Sequence, residues 1–152
     1  MKVRFSKINP EAEEYAELHI HEMDGTMNRL AGYLEQELFR SVTLICQQEE
    51  IICRVPCSEI YLIETVEERQ MVHTGQEVYE VKKRLYELEK LLPPNFVRIS
   101  KSVIINIGKA ESYTPMLNGL MKVSMRNSLV AYISRKYLKE AKNRILEVEQ
   151  NE

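Results

Sequence analysis

Three histidines, three cysteines and a cationic second half are the parts of this 152-residue chain whose types could do chemistry. His19 and His21 share one face of an alternating segment, as two metal ligands would, but no further ligands stand at a spacing that completes a site. Cys46, Cys53 and Cys57 form no C-x-x-C pair and are odd in number, so they read as packed, reduced thiols in a cytoplasmic protein. His73 has no adjacent Ser or Cys nucleophile and reads as structural. No phosphate-cradling Gly-rich loop and no dinucleotide fingerprint occurs. The expectation is a protein without metal or cofactor that is not an enzyme.

Charge is the remaining signal. The chain carries 21 Lys/Arg and 23 Asp/Glu, a formal net charge of −2. Residues 1–80 hold seven Lys/Arg against 16 Asp/Glu, whereas residues 81–146 hold 14 against four. A basic half on a near-neutral chain suits a polyanionic partner. The alternative is that the two halves neutralise each other within one fold, and charge asymmetry alone does not choose between them. No apolar run reaches the ~20 residues that span a bilayer, and no secretory signal is visible, so membrane insertion is not expected.

The elements that must position these residues follow from periodicity. Segments 2–8 and 16–22 alternate as short strands. Asp24 or Thr26 caps a helix in which Met27, Leu30, Ala31, Leu34 and Leu38 recur at helical spacing. Val42, Leu44 and Cys46 alternate, and a turn at 48–50 leads to a second run over 51–55. Strands are then predicted over 58–65 and 69–74, joined by a polar hairpin tip at 66–69, and over 77–79 after a turn at Gly75. Val81, Leu85, Leu88 and Leu92 form a helical stripe that Pro93 and Pro94 stop. Further strands are predicted over 97–99, 103–107, 110–113, 120–125 and 129–133, punctuated by Pro115, Asn118–Gly119 and Asn127–Ser128. A closing helix capped by Ser134 places Tyr137, Leu138, Ala141, Ile145 and Val148 on one face. The fold class is α+β and β-rich.

The most informative stretch runs from Phe96 through Arg98, Ser100, Lys101 and Ser102 to Asn106. It resembles the signature of the LytTR DNA-binding domain: Phe-x-Arg, a polar residue, Ser, a short apolar run and Asn. Three further pieces fit in order. Ser58, Ile60, Tyr61 and Glu64 resemble the family's "D-I-x-Y-I-E" strand, with Ser58 in place of the usual Asp. Leu85, Leu88, Glu89 and Leu92 match its helix, and Ile133, Ser134, Arg135 and Tyr137 its closing "V-S-R-x-Y". Asn127–Ser128 stands where an Asn-Gly turn is usual. Lys101 and the loop from Pro115 to Asn118–Gly119 look like short stand-alone members without a receiver domain, for which residues 1–40 are too short.

The resemblance implies an array of small, mostly antiparallel sheets around one helix. An acidic β-α-β-β extension over 1–55, a candidate for homodimerisation, precedes the DNA-binding domain at 56–148, with a C-terminal helix and a tail at 149–152. It implies a bacterial transcriptional regulator that reads duplex DNA from loops and strand ends, at direct or inverted half-sites. Family contacts carry over to Lys101, to Arg135, and to Arg69 or Gln70 at the hairpin tip.

Their chemistry suits the task. Arg bonds guanine O6 and N7, and Gln does the same for adenine. Lys101 reaches a base or a phosphate, while Ser100 and Ser102 donate to backbone oxygens. Arg135 follows Ser134 at a helix amino terminus, which favours an anion. Arg98 is either a DNA contact or a sheet-face ion-pair partner. Asn106 completes the candidate set, although a strand-ending Asn also reads as a turn or structural hydrogen-bonder. Two other functions compete. A LytTR-like module could dock a partner protein through its acidic front. RNA binding lacks an exposed aromatic platform, Tyr113 and Tyr137 reading as packed.

Overall fold

The computed structural model describes residues 1–37 and 42–150, the side chains of 148–150 excepted. The chain divides into two compact units, 1–40 and 41–152. In the first, helix α1 spans Gly25–Glu35, and Asp24 Oδ1 accepts from the Met27 amide at 2.8 Å. This is the N-cap that the sequence offers. Met27, Leu30, Ala31 and Leu34 are half-covered; Leu38 lies outside the described residues.

The strands expected over 2–8 and 16–22 are not formed. Alternation supplies a face but not a partner, and a lone strand leaves its backbone groups without a ladder.

The second unit opens with β1 (Thr43–Gln48) and β2 (Ile51–Pro56), a hairpin in which Leu44, Cys46 and Val55 turn inward. The expected boundary at 55/56 falls within β2, and both strands extend the sheet that follows. β3 (Ile60–Val66) and β4 (Arg69–Thr74) pair through the two-residue turn Glu67–Glu68, both at positive φ, 50° and 66°. That geometry matches strand twist but is taken here without glycine. β5 (Val78–Val81) pairs with β4 and, at Gln47 and Glu80, with β1. Val81 therefore ends a strand rather than starting a helix, although it is buried beside Leu85, Leu88 and Leu92 as the stripe required.

Helix α2 (Leu85–Leu91) stops where Leu92 takes extended angles ahead of Pro93, as a residue before proline must. β6 (Phe96–Arg98) and β7 (Val103–Asn106) complete a seven-stranded antiparallel sheet of order β2-β1-β5-β4-β3-β7-β6. A second sheet of three strands holds β8 (Ala110–Pro115), β9 (Met121–Met125) and β10 (Val130–Ile133), in order β10-β9-β8. Helix α3 (Arg135–Gln150) closes the chain; the side chain of Val148 lies outside the described residues.

Two cores result, one on each face of the larger sheet. Ile60, Ile63, Val72, Phe96 and Ile104 pack with Leu85 and Leu88 of α2. Leu62, Val97 and Ile105 pack on the other side with Val123, Ala131, Ile133, Ala141 and Ile145. Successive residues of a strand point to opposite faces, so β3, β6 and β7, covered on both, read as continuous apolar runs. No helix is long and apolar enough to cross a membrane among the described residues.

Candidate nucleic-acid interface

Lys101 and Arg135 are both exposed and lie on neighbouring segments. The Ser134 amide donates to the Ile99 carbonyl at 2.9 Å. This bond lies two residues before Lys101 and one before Arg135, so connectivity keeps their α-carbons within about 18 Å. That separation is shorter than one duplex turn, ~34–36 Å. The Thr65 amide donates to the Ser102 carbonyl at 2.8 Å. The β3–β4 hairpin is thereby tied to the same loop, one residue before its last pair, Val66 with Arg69.

The 99–102 loop is fixed from beneath. Arg98 Nε donates to the Ser100 carbonyl at 3.1 Å, and an Nη donates to the Lys101 carbonyl at 2.6 Å. Its other Nη meets Glu89 of α2 at 3.1 Å. The planar guanidinium offers several donors in a fixed fork, so one side chain holds two consecutive backbone carbonyls of the loop. Ser100 Oγ accepts from the Ser102 amide at 3.2 Å and lies 3.5 Å from its hydroxyl. Arg98 is thus a support whose donors are engaged within the protein, the second of its two sequence readings.

Gln70 and Asn106 do not face solvent. Gln70 is 7% exposed, paired with Thr65 on one side and Val81 on the other; its neighbour Arg69 points outward. A one-residue step along a strand exchanges faces, which is why the sequence left this pair open. Asn106 is 2% exposed. Its Nδ2 donates to the Ile60 carbonyl at 2.8 Å, and its Oδ1 accepts from Gly108 N at 2.9 Å and Asn95 Nδ2 at 2.7 Å. A buried amide with both ends satisfied is a structural tie between β7 and β3, the structural one of its two sequence readings.

Arg69 is two-thirds exposed, but its Nε lies 3.9 Å from Glu80 Oε1 and the adjoining tip is Glu67–Glu68. Like charge between that tip and a phosphate opposes approach there. Lys101, Arg135 and, on α3, Lys136 and Lys139 are exposed.

One feature escaped sequence reasoning. Gly119, at φ +83°, lies under the Arg135 side chain: a Cβ there would meet Arg135 Nε at 3.2 Å and Cδ at 3.3 Å. The β8–β9 turn, Met116–Gly119, therefore lies against the Arg135 side chain. Its only sequence signal is the Asn118–Gly119 pair, which announces a turn but not what rests on it.

Among the described residues, no three His, Cys, Asp or Glu side chains gather as metal ligands. His73 Nε2 lies 2.8 Å from Glu64 Oε1 on the adjacent strand.

Comparison with known proteins gives a consistent picture. Residues 50–146 match the LytTr DNA-binding domain family. Relatives include uncharacterized HTH-type transcriptional regulators of Staphylococcus aureus strains NCTC 8325 and COL. Each is 31% identical over 135 residues, covering 89% of this chain and 91% of the relative. Among solved structures, a LytTr DNA-binding domain from Bacillus cereus superposes with a TM-score of 0.65 at 22% identity, covering 68% of this chain and 95% of that one.

Proposed function

This chain belongs to the LytTR DNA-binding domain family, and from that premise we propose that it regulates transcription by binding specific duplex sequences. The observation that carries the proposal is the Ile99–Ser134 hydrogen bond, which keeps Lys101 and Arg135 on adjoining, exposed segments. Arg135 reads a base edge, with guanine O6 and N7 as its bidentate match. Lys101, Ser100 and Ser102 engage base or phosphate, and Arg69, beside an acidic tip that repels phosphate, is left to meet a base edge. Helices α2 and α3 are separated by five strands, so reading is assigned to loops rather than to a helix–turn–helix pair.

The relatives named as transcriptional regulators support the same role. A cytoplasmic homodimer fits two half-sites, with residues 1–55 as the self-association segment. The exposed Ile45, Ile51 and Ile52 of the β1–β2 edge hairpin support that assignment. Docking of a partner protein by the acidic front is the second reading, supported by the same surface.

A mobility-shift titration with the DNA upstream of the protein's own gene tests the proposal. Retardation at low salt that weakens linearly, in logarithmic terms, as salt rises is expected. Absence of retardation at low salt, with recovery of a partner protein free of nucleic acid, would establish the second reading.

A further inference from the structure

The turn beside Arg135 also carries the most exposed large apolar side chain described. Leu117 has a relative exposure of 110%, with Met116 beside it at 40%. Single exposed apolar residues are common and need no explanation. Leu117 differs in three respects. The turn that presents it is pinned: Met116 N donates to the Leu120 carbonyl at 2.9 Å, Gly119 N to the Met116 carbonyl at 3.2 Å, and Leu120 N to Asn118 Oδ1 at 3.2 Å. The same turn lies beside the stem of Arg135, which places Leu117 and Arg135 on adjoining parts of the surface. Nothing in the fold covers it, whereas Met121 and Val123, just beyond the turn, are buried.

We propose that Leu117 is a specificity-determining residue that enters the groove beside Arg135 and packs on the 5-methyl group of a thymine. The inference rests on the DNA-binding reading above. In the major groove, thymine is the base that presents a methyl group, and apolar side chains are its match. An arginine reading guanine on one side and a leucine reading a thymine methyl on the other would together fix two nearby base pairs. Charge carries the pair to the duplex and apolar contact adds discrimination, because a thymine methyl is present in some sequences only, whereas every sequence offers the phosphate contact.

The test removes the methyl group from the DNA. Duplexes recovered by the wild-type protein from a random-sequence pool are resynthesised with uracil in place of thymine, and the full-length protein and Leu117→Ala are titrated against both. The wild type is expected to lose about fourfold in affinity with uracil beyond any loss shown by Leu117→Ala, the size expected for one buried methyl. Leu117→Met, still apolar, should keep most of the methyl dependence. Equal losses for wild type and Leu117→Ala, or unchanged binding of thymine DNA by Leu117→Ala, overturn the inference while leaving duplex binding intact. Recovery of no duplex by the wild type overturns the DNA-binding reading and this inference with it.

Discussion

The guanidinium of Arg98 donates to the main-chain carbonyl of Lys101 at 2.6 Å, so a cation held inside the fold sets the position of one that leaves it. Arg98 also reaches Ser100 and Glu89, which ties the loop to α2.

Arg98→Lys is therefore expected to weaken DNA binding although its donors are engaged within the protein. Lysine keeps the charge but not the fork, so the loop loses at least one of its two supports. A loss of ~1 kcal/mol in binding is expected, non-additive with Lys101→Ala because both act through one loop. A double-mutant cycle by fluorescence anisotropy checks this; full additivity would show that Arg98 acts elsewhere.

Gly119→Ala should act on stability and binding together. The position has φ +83°, and an added Cβ would press on Arg135 at 3.2 Å. A non-glycine residue there costs ~1–3 kcal/mol, and displacement of Arg135 should weaken binding beyond what unfolding explains. Urea denaturation and a titration at a temperature where the variant is fully folded separate the two effects.

Asn106→Ala should do the reverse. Its three hydrogen bonds are internal, and their removal leaves a buried carbonyl and amide unsatisfied, a loss of ~2–4 kcal/mol in stability. The folded fraction should bind duplex with unchanged affinity. Weaker binding by the folded fraction, measured alongside the unfolding curve, would return Asn106 to the interface.

The cysteines make the fold sensitive to alkali. Burial raises the thiol of Cys46 from 9.0 to about 11, with neighbouring Cys53 and Cys57 adding to the effect, and burial raises Cys57 likewise to about 11. A group whose pKa is raised on folding contributes fully below its unfolded value, and that contribution disappears as pH climbs through the folded one. Stability should therefore decline between pH 9 and pH 11, and Cys46→Ala/Cys57→Ala should flatten that decline. Denaturant midpoints across this range are the measurement.

Much of the frame was legible because local pattern and tertiary environment agree. Leu44 and Cys46 alternate and are buried, Leu92 stops a helix ahead of proline, and Asp24 caps one. What was not legible depended on distant partners. Segments 2–8 and 16–22 alternate as well as β1 does but pair with no strand among the described residues, whereas β1 finds β2 and, through Gln47 and Glu80, β5. In the site, residue type was readable and direction was not: Arg98, Gln70 and Asn106 have the chemistry to meet DNA, but Arg98 is bonded to Glu89, Gln70 is buried, and Asn106 is bonded to Ile60 and Gly108. Leu117 and Gly119 read only as parts of a turn, because a turn signal does not reveal the distant side chain, Arg135, that lies against it.

The most direct measurement is the affinity of Lys101→Ala, Arg135→Ala and the double variant for one selected duplex, across a series of salt concentrations. Each single change is expected to cost ~1–3 kcal/mol if the side chain reads a base, and a side chain that meets phosphate should also lower the salt slope by about one. Wild-type affinity and wild-type salt dependence in the double variant would contradict the account.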